Sequence, residues 1–491
     1  MIDSNNNSER NKIFGSLIWK LLERAGTQGI QFIVQIVLAR LLAPGQFGTI
    51  AIVMVFIHLA QVFVQSGFST ALIQKKNADD EDFSTIFYLS IGIAGILYLI
   101  IYFSAPFISS FYRDPILVPV LRILSVILFS GALNAVQNAY IARNLLFKKL
   151  FKSSVGAIII SGILGVIAAY YGLGVWALVI QQLVNQIAIS VIMWNTVKWR
   201  PKLVFSILKV RELFSFGWKL LVSSLLNVFY LEIRTLLIGR LFSSSALGFY
   251  NRGEQFPKLI VNNINGSVQS VMLPTLSAQQ DNRKRAKEMM RRAIVTSSFL
   301  IFPMMIGMAV VAEPLVVIVL TEKWLPAVPF LQIFSISYAL IPIHTANLQA
   351  INAMGRSDVF LKLEMIKEVI GLAILVITIP FGVYAIAIGQ VVSGIIATFL
   401  NAYPNRRLLD YHYKDQFMDI IPSFFIALIM GSVVYTFNYL DIAAWKILVM
   451  QVFGGMTIYI GLAKIFKLES FGYLVNTLKE LMKINKNDAN S

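Results

Sequence analysis

Residues 44–65 read PGQFGTIAIVMVFIHLAQVFVQ, a run without one Asp, Glu, Lys or Arg. A hydrocarbon core about 30 Å thick takes roughly 20 apolar residues of helix to cross. Lipid offers no partner for backbone N–H and C=O, so such a run must be helical. Working outward from it, fourteen apolar stretches lie between about Leu17 and Phe466, separated by short polar loops. The chain has 491 residues, of which 57% are hydrophobic and 14% charged. A soluble chain has about a quarter of its residues charged. The expectation is an all-α polytopic membrane protein of about 14 transmembrane helices.

The net charge of +17 is a topology signal before it is anything else. Basic residues crowd alternate loops: Lys75 and Lys76; Arg143, Lys148, Lys149 and Lys152; Lys198 to Arg211; Arg283 to Arg292; Arg356 and Lys362; Arg406, Arg407 and Lys414. The loops between them hold only Arg40, Arg113, Arg240, Arg252, Lys323 and Lys446. The positive-inside rule then places both termini in the cytoplasm and leaves little charge to argue for nucleic acid. Arg283-Lys284-Arg285 could meet anionic headgroups or a cytoplasmic partner. The polar start from Met1 to Lys12 lacks the apolar core of a secretory signal, so the mature chain is expected to begin at Met1. Cysteine is absent, which excludes disulfides and thiolate metal sites.

A weak repeat recurs near 200 residues. Arg40-Leu41 with Gly48 matches Arg240-Leu241 with Gly248, and Gly174-Val175-Trp176-Ala177 with Gln182 matches Gly382-Val383-Tyr384-Ala385 with Gln390. Six spans per repeat is an even number, so the halves share one orientation, a parallel repeat as in several alternating-access transporters. The organisation expected is a polar tail (1–11), an N-lobe (12–205), a C-lobe (206–410), two further helices (411–466) and a C-terminal tail (467–491). Pro201 marks the boundary between lobes. In the tail, Phe471, Leu474, Leu478, Leu481 and Met482 share one side of a short amphipathic helix, expected at the membrane interface.

Polar residues are unevenly placed around the helices. At 100° per residue Arg24, Gln28, Gln31 and Gln35 form one stripe on span 1, and His58, Gln61 and Gln65 another on span 2. Span 7 carries Asn227, Tyr230 and Arg234; span 8 carries Glu254, Lys258, Asn262, Asn265 and Gln269. Span 4 adds Asn134, Gln137 and Asn138, and span 11 adds Glu364, Lys367 and Glu368. A charge at the centre of a lone helix costs about 2.5–3.5 kcal/mol on insertion scales, and such residues face a cavity or a partner. Single Gln or Asn side chains also serve as interhelical glue, at about 0.6 kcal/mol each. The stripes of spans 1, 2, 7 and 8 together point to a shared hydrophilic cavity. Surplus positive potential near Arg24 and Arg234 suits a phosphate or an acidic sugar, for which arginine offers bidentate donors. Glu232, Glu254 and Glu364 are candidates for pairing with these charges or for carrying a coupling proton or sodium ion.

Catalytic signatures are missing. There is no G-x-x-x-x-G-K-[ST] loop and no H-E-x-x-H, and His58, His344 and His412 show no metal-ligand spacing, so no cofactor or metal is expected. Pro303 and Pro342, within spans 9 and 10, are candidate kinks or hinges.

Several short motifs carry a resemblance. Gly15-Ser16-Leu17-Ile18-Trp19 with Gln28 and Gln31, Ala39-Arg40-Leu41-Leu42-Ala43-Pro44 with Phe47-Gly48 and Gly67-Phe68, Leu247-Gly248-Phe249-Tyr250-Asn251-Arg252, Pro274-Thr275-Leu276-Ser277 and Trp324-Leu325-Pro326-Ala327 are similar to those of polysaccharide-unit flippases. These are the O-antigen and colanic-acid type of the multidrug/oligosaccharidyl-lipid/polysaccharide exporter superfamily, and the resemblance covers about residues 12–465. It implies two six-helix bundles around a central cavity, as in multidrug exporters and lipid II flippases. It also implies an undecaprenyl-diphosphate-linked oligosaccharide as substrate, moved between leaflets of the bacterial cytoplasmic membrane. By the same resemblance Arg24 holds the diphosphate, with Arg234 and Lys258 as further candidates, and the last two spans offer a lipid-tail groove. Partners expected with it are membrane lipids, a coupling H+ or Na+, and a polymerase and chain-length regulator of the pathway. Two other readings fit the pattern: a multidrug or metabolite cation antiporter of the same fold, and a membrane polymerase or ligase acting on the same lipid.

Overall fold

The structure is a computed structural model that describes residues 2–65, 68–75, 77–476 and 479. Gly67 of the Gly67-Phe68 motif and Lys76 lie outside the described residues, as do Leu478, Leu481 and Met482 of the tail helix. The described residues are helices and turns, with no strand among them. The chain clusters into two compact units, Met1–Gly248 and Phe249–Ser491.

The first unit contains α1 (Ile2–Leu41), α2 (Pro44–Gln65), α3 (Phe68–Gln74), α4 (Asp80–Tyr112), α5 (Leu117–Leu124), α6 (Ile127–Arg143), α7 (Phe147–Tyr170), α8 (Val175–Thr196) and α9 (Ile207–Leu241). The helix α10 (Ser244–Ser277) begins in it. The second unit continues with α11 (Arg283–Val310), α12 (Ala312–Val319), α13 (Val328–Ala339), α14 (Ile341–Ala353), α15 (Ser357–Thr378), α16 (Val383–Ala402), α17 (Asn405–Leu408), α18 (Tyr413–Tyr435) and α19 (Ala444–Ile465).

Among the described residues 11 helical segments are long and apolar enough to cross a membrane. Three further long helices, α1, α10 and α15, are not among those 11. They are the ones that carry Arg24 with its glutamines, the Glu254–Gln269 stripe, and Glu364 with Lys367 and Glu368. The polar stripes thus lower the hydropathy of their own helices.

Within the first unit α1 packs along α7, and α2 packs against α4, α6, α8 and α9. Small residues permit the close approaches. The closest are in the α1–α2 and α9–α10 turns. A Cβ on Gly48 would stand 1.7 Å from the Ser244 carbonyl oxygen, and one on Gly248 would stand 2.1 Å from that of Pro44. These positions are related by the 200-residue repeat, so Gly48 meets Ser244 just as its counterpart Gly248 meets Pro44. The contact has the reciprocity of an isologous interface. The second repeat motif behaves alike: Gly174 and Gly382 both have positive φ, 58° and 96°, and both immediately precede a helix, α8 and α16. Glycine adopts that conformation without a Cβ clash.

Two residues of the span-4 stripe are used for packing, while Asn138 is exposed. Asn134 and Gln137 are buried, and the Gln137 amide donates to the Trp199 carbonyl at 3.3 Å. Trp199 stacks near Phe83 and Phe87 in a core cluster with Met193 and Leu213. The segment 197–206 is therefore pinned against α4: the Lys202 and Ser206 backbone N–H groups donate to Ser84 Oγ and Thr85 Oγ1. Asp79 and Asp82 close a reciprocal capping box at the start of α4. Lys209 binds Asp79 at 2.6 Å and Glu81 at 3.1 Å, and Lys75 bridges Asp82 and Glu212 at 3.0 Å each. The hydrogen bond from Lys209 holds the Asp79 carboxyl down at about 2, against an ordinary 3.8. A carboxyl with a lowered pKa stabilises above its unfolded value and loses that contribution as pH falls through the folded one. Limited proteolysis of segment 197–206 should therefore be unchanged between pH 5 and 8 and rise only below about pH 4. Lys209→Gln should raise it at neutral pH.

In the second unit α11 packs against α18 and α13, α15 against α16, and α18 against α19. A buried knot joins Asn347, Asn405 and Gln416, with the Asn347 and Asn405 amides donating at 2.9 and 2.8 Å. Pro303 lies inside an unbroken α11, whereas Pro342 starts α14 just after span 10 breaks at Leu340. Proline is tolerated there because a first-turn N–H has no intrahelical acceptor. Phe471 and Leu474 pack on the cluster of Phe299 and Tyr459, and Arg291 ties Glu469 at 2.8 Å and Asp419 at 2.9 Å. This end of the tail helix is held by protein contacts.

Candidate functional site

The span-1 stripe is oriented by small and aromatic residues on the opposite face. Gly26 approaches Phe151 and Val155 of α7, and Trp19 lies against Phe151. At 100° per residue Arg24, Gln28, Gln31 and Gln35 sit about 140–200° round from Gly26. The stripe therefore looks away from α7. Arg24 is exposed and has no ion pair among the described residues, while Gln28 Oε1 is buried without a hydrogen-bond partner. Gln31 is half-buried.

On α2, Gln61 and Gln65 are half-buried, and a Cβ on Gly131 would lie 3.0 Å from the Gln65 amide nitrogen. His58 meets α9: its Nδ1 lies 3.0 Å from Glu232 Oε1, with both side chains partly exposed. Two residues on from Glu232, the Arg234 guanidinium lies over the Tyr230 ring at 5.5 Å, and Asn227 is exposed further up the helix. The structure thus joins His58 to Glu232 and leaves Arg24 outside that pair. Sequence reasoning placed each residue on a stripe and did not couple the two. The signal available was a histidine on one polar stripe and an acid beside another.

The second unit holds its own cluster. Glu254 accepts from the Tyr338 hydroxyl at 2.8 Å and lies 3.7 Å from Lys258, whose side chain is half exposed. Asn262 is exposed, and Asn265 Oδ1 is buried without a partner among the described residues. Glu364 binds Lys367 at 2.6 Å. The half-buried His344, which the sequence argument left without a role, pairs with Thr398 Oγ1 at 2.7 Å and the Gly394 carbonyl at 3.1 Å. Tyr250 donates to Gln390, the glutamine of the repeat motif, at 3.1 Å. No group of three or more His, Asp or Glu side chains fit to hold a metal occurs among the described residues.

Partly exposed carboxylates engaged by His58, by Tyr338 and Lys258, and by Lys367, with the exposed Arg24, are groups able to bind a charged substrate. A family model described as "Polysaccharide biosynthesis protein" matches residues 37–329, more than half of the chain. The chain belongs to the polysaccharide biosynthesis protein family. Similar proteins include the teichuronic acid biosynthesis protein TuaB of Bacillus subtilis, 28% identical over 77% of this chain and 78% of TuaB. The succinoglycan biosynthesis transport protein ExoT of Rhizobium meliloti is 23% identical, over 72% of this chain and 71% of ExoT. The lipopolysaccharide biosynthesis protein WzxC of Escherichia coli is 22% identical over 86% of each chain. In fold it is similar to the lipid II flippase MurJ in an inward closed conformation, with a TM-score of 0.75, 16% identity, and 91% of this chain and 98% of MurJ covered. An inward-facing multidrug resistance transporter of the MATE family matches at a TM-score of 0.57 and 16% identity, over 77% and 94%. This family member is a multi-pass membrane protein with the MurJ- and MATE-like all-α fold.

Proposed function

We propose that this protein moves polyprenyl-diphosphate-linked oligosaccharide units across the cytoplasmic membrane for polysaccharide assembly, by alternating access. The observation that carries the reading is the polar stripe of α1, directed away from its packing partner and headed by an arginine with no described ion pair. A glycan with its diphosphate cannot cross unaided, because its hydroxyls and charges would shed water into hydrocarbon. Polar side chains replace that water: Arg24, Gln28, Gln31, Gln61, Gln65, Asn227 and Arg234 in the first unit, and Lys258, Asn262 and Asn265 in the second. On this reading α1, α10 and α15 also span the bilayer, giving fourteen spans with both termini in the cytoplasm. Transport by relatives such as ExoT and lipid flipping by MurJ support the reading.

The test is sidedness. Purified protein in vesicles should expose polyprenyl-diphosphate oligosaccharide to an external glycan-binding probe without lengthening the glycan. Lengthened or transferred glycan would show a polymerase or ligase instead. A deletion strain should lose surface polysaccharide and keep its drug resistance; the reverse would show a drug antiporter.

His58 with Glu232 is the proposed coupling pair, a proton-accepting imidazole against a carboxylate at 3.0 Å. Glu232→Gln is expected to remove the acceleration of transport by an imposed proton gradient while leaving substrate binding intact. Equal acceleration in vesicles carrying that variant would assign coupling elsewhere, with Glu254 and Glu364 the next carboxylates to replace.

A further inference from the structure

Two adjoining cavities of about 600 and 680 Å³ open where the ends of α4 and α9 come together in the first unit. Ligand pockets measure roughly 300–1,000 Å³. Phe111, Tyr112, Leu237 and Arg240 line both, so the two form one cleft. Its smaller part is an apolar slot walled by Phe56, Phe107 and Phe229. The slot's rim is open: Phe107 is 79% exposed, so a chain can enter sideways from the bilayer. The larger part is of mixed polarity and holds Arg113 and Arg240. Neither arginine has an ion pair among the described residues, whereas the nearby Asp114 is engaged by the Thr49 hydroxyl at 3.2 Å. The Arg240 guanidinium is braced over the Phe111 ring at 4.7 Å. Arg113 ends α4 in the left-handed region, with φ of 56°. That conformation costs a non-glycine residue about 1–2 kcal/mol, and glycine or asparagine is its ordinary occupant.

We infer that this cleft is a second lipid site, holding the phosphate of a polyprenyl phosphate on Arg113 and Arg240 and the start of its tail in the Phe56–Phe107–Phe229 slot. The choice of a polyprenyl carrier rests on the proposed function; the choice of a phosphate rests on the two arginines, whose donors match it. A single slot takes a single tail, which favours this lipid over a two-tailed phospholipid. Both arginines lie in the loops that the charge distribution assigns to the far side of the membrane. On the proposed function the cleft would therefore lie on the side of the membrane to which the glycan is delivered.

Photo-crosslinking of the full chain in vesicles tests the site directly. A tail-photoreactive polyprenyl phosphate should label peptides spanning 107–113 and 229–240. Unlabelled polyprenyl phosphate should block the labelling, and neither polyprenol nor phosphatidylglycerol at the same concentration should do so. Arg113→Gln combined with Arg240→Gln should lower labelling about tenfold, and Arg240→Lys alone much less. Block by polyprenol, equal block by phosphatidylglycerol, or undiminished labelling of the double variant would overturn the site. The lipid competition uses unaltered protein and stands even where the double variant misfolds. Failure of the cleft leaves the sidedness result untouched. Full surface polysaccharide in a deletion strain would defeat the transport reading without altering where the probe crosslinks.

Discussion

Arg24→Ala is expected to abolish surface polysaccharide while the protein still inserts at its normal level. The side chain is exposed, lies on the face of α1 turned from α7, and makes no ion pair among the described residues. Exposed positions of that kind change stability by only about 0.5 kcal/mol on substitution. The loss should therefore fall on substrate. A charge-assisted hydrogen bond contributes about 1.5–3 kcal/mol, so removing it should weaken binding of a diphosphate roughly 10- to 150-fold. Arg24→Lys should retain part of the activity, since an ammonium supplies charge without the planar fork. The checks are polysaccharide display and membrane protein level in a strain expressing only the variant. Normal display by Arg24→Ala would remove this residue from the substrate path.

Locking the seam between the α1–α2 and α9–α10 turns should stop transport as completely. A Cβ on Gly45 would lie 3.0 Å from the Ser245 hydroxyl oxygen, so Gly45→Cys with Ser245→Cys brings two thiols within reach of a bond. The chain has no cysteine of its own, so that bond would be the only one possible. On the proposed alternating-access reading these turns part once in each cycle. Oxidation should then reduce flipping in vesicles to the level of protein-free vesicles, and a reductant should restore it. Each single-cysteine variant should be indifferent to oxidant. Full transport by the oxidised pair would show that the seam stays shut throughout the cycle. Gly48→Val provides the opposite perturbation. Its side chain would begin 1.7 Å from the Ser244 carbonyl oxygen, so the turns could no longer close.

Hydropathy is a local sum over about 20 residues, so the class of protein was legible from the chain alone. So were the polar stripes, because a helix repeats its faces every 3.6 residues whatever surrounds it. The 200-residue repeat was readable at Gly48 and Gly248, and its family motifs pointed to the family that the comparisons establish. Tertiary structure decided how those stripes are used. Asn134 and Gln137 on span 4 look like cavity residues in a helical projection, yet they are buried and Gln137 holds the 197–206 segment. His58 meets Glu232, and Glu254 meets Tyr338, through pairings that no spacing within one helix encodes. Reciprocal burial of Gly48 and Gly248 against the opposite turns was equally invisible, as was the arginine-capped cleft at the ends of α4 and α9. The physical reason is common to all of them. Which stripe meets which depends on the rotation and tilt of each helix, and packing between helices sets those.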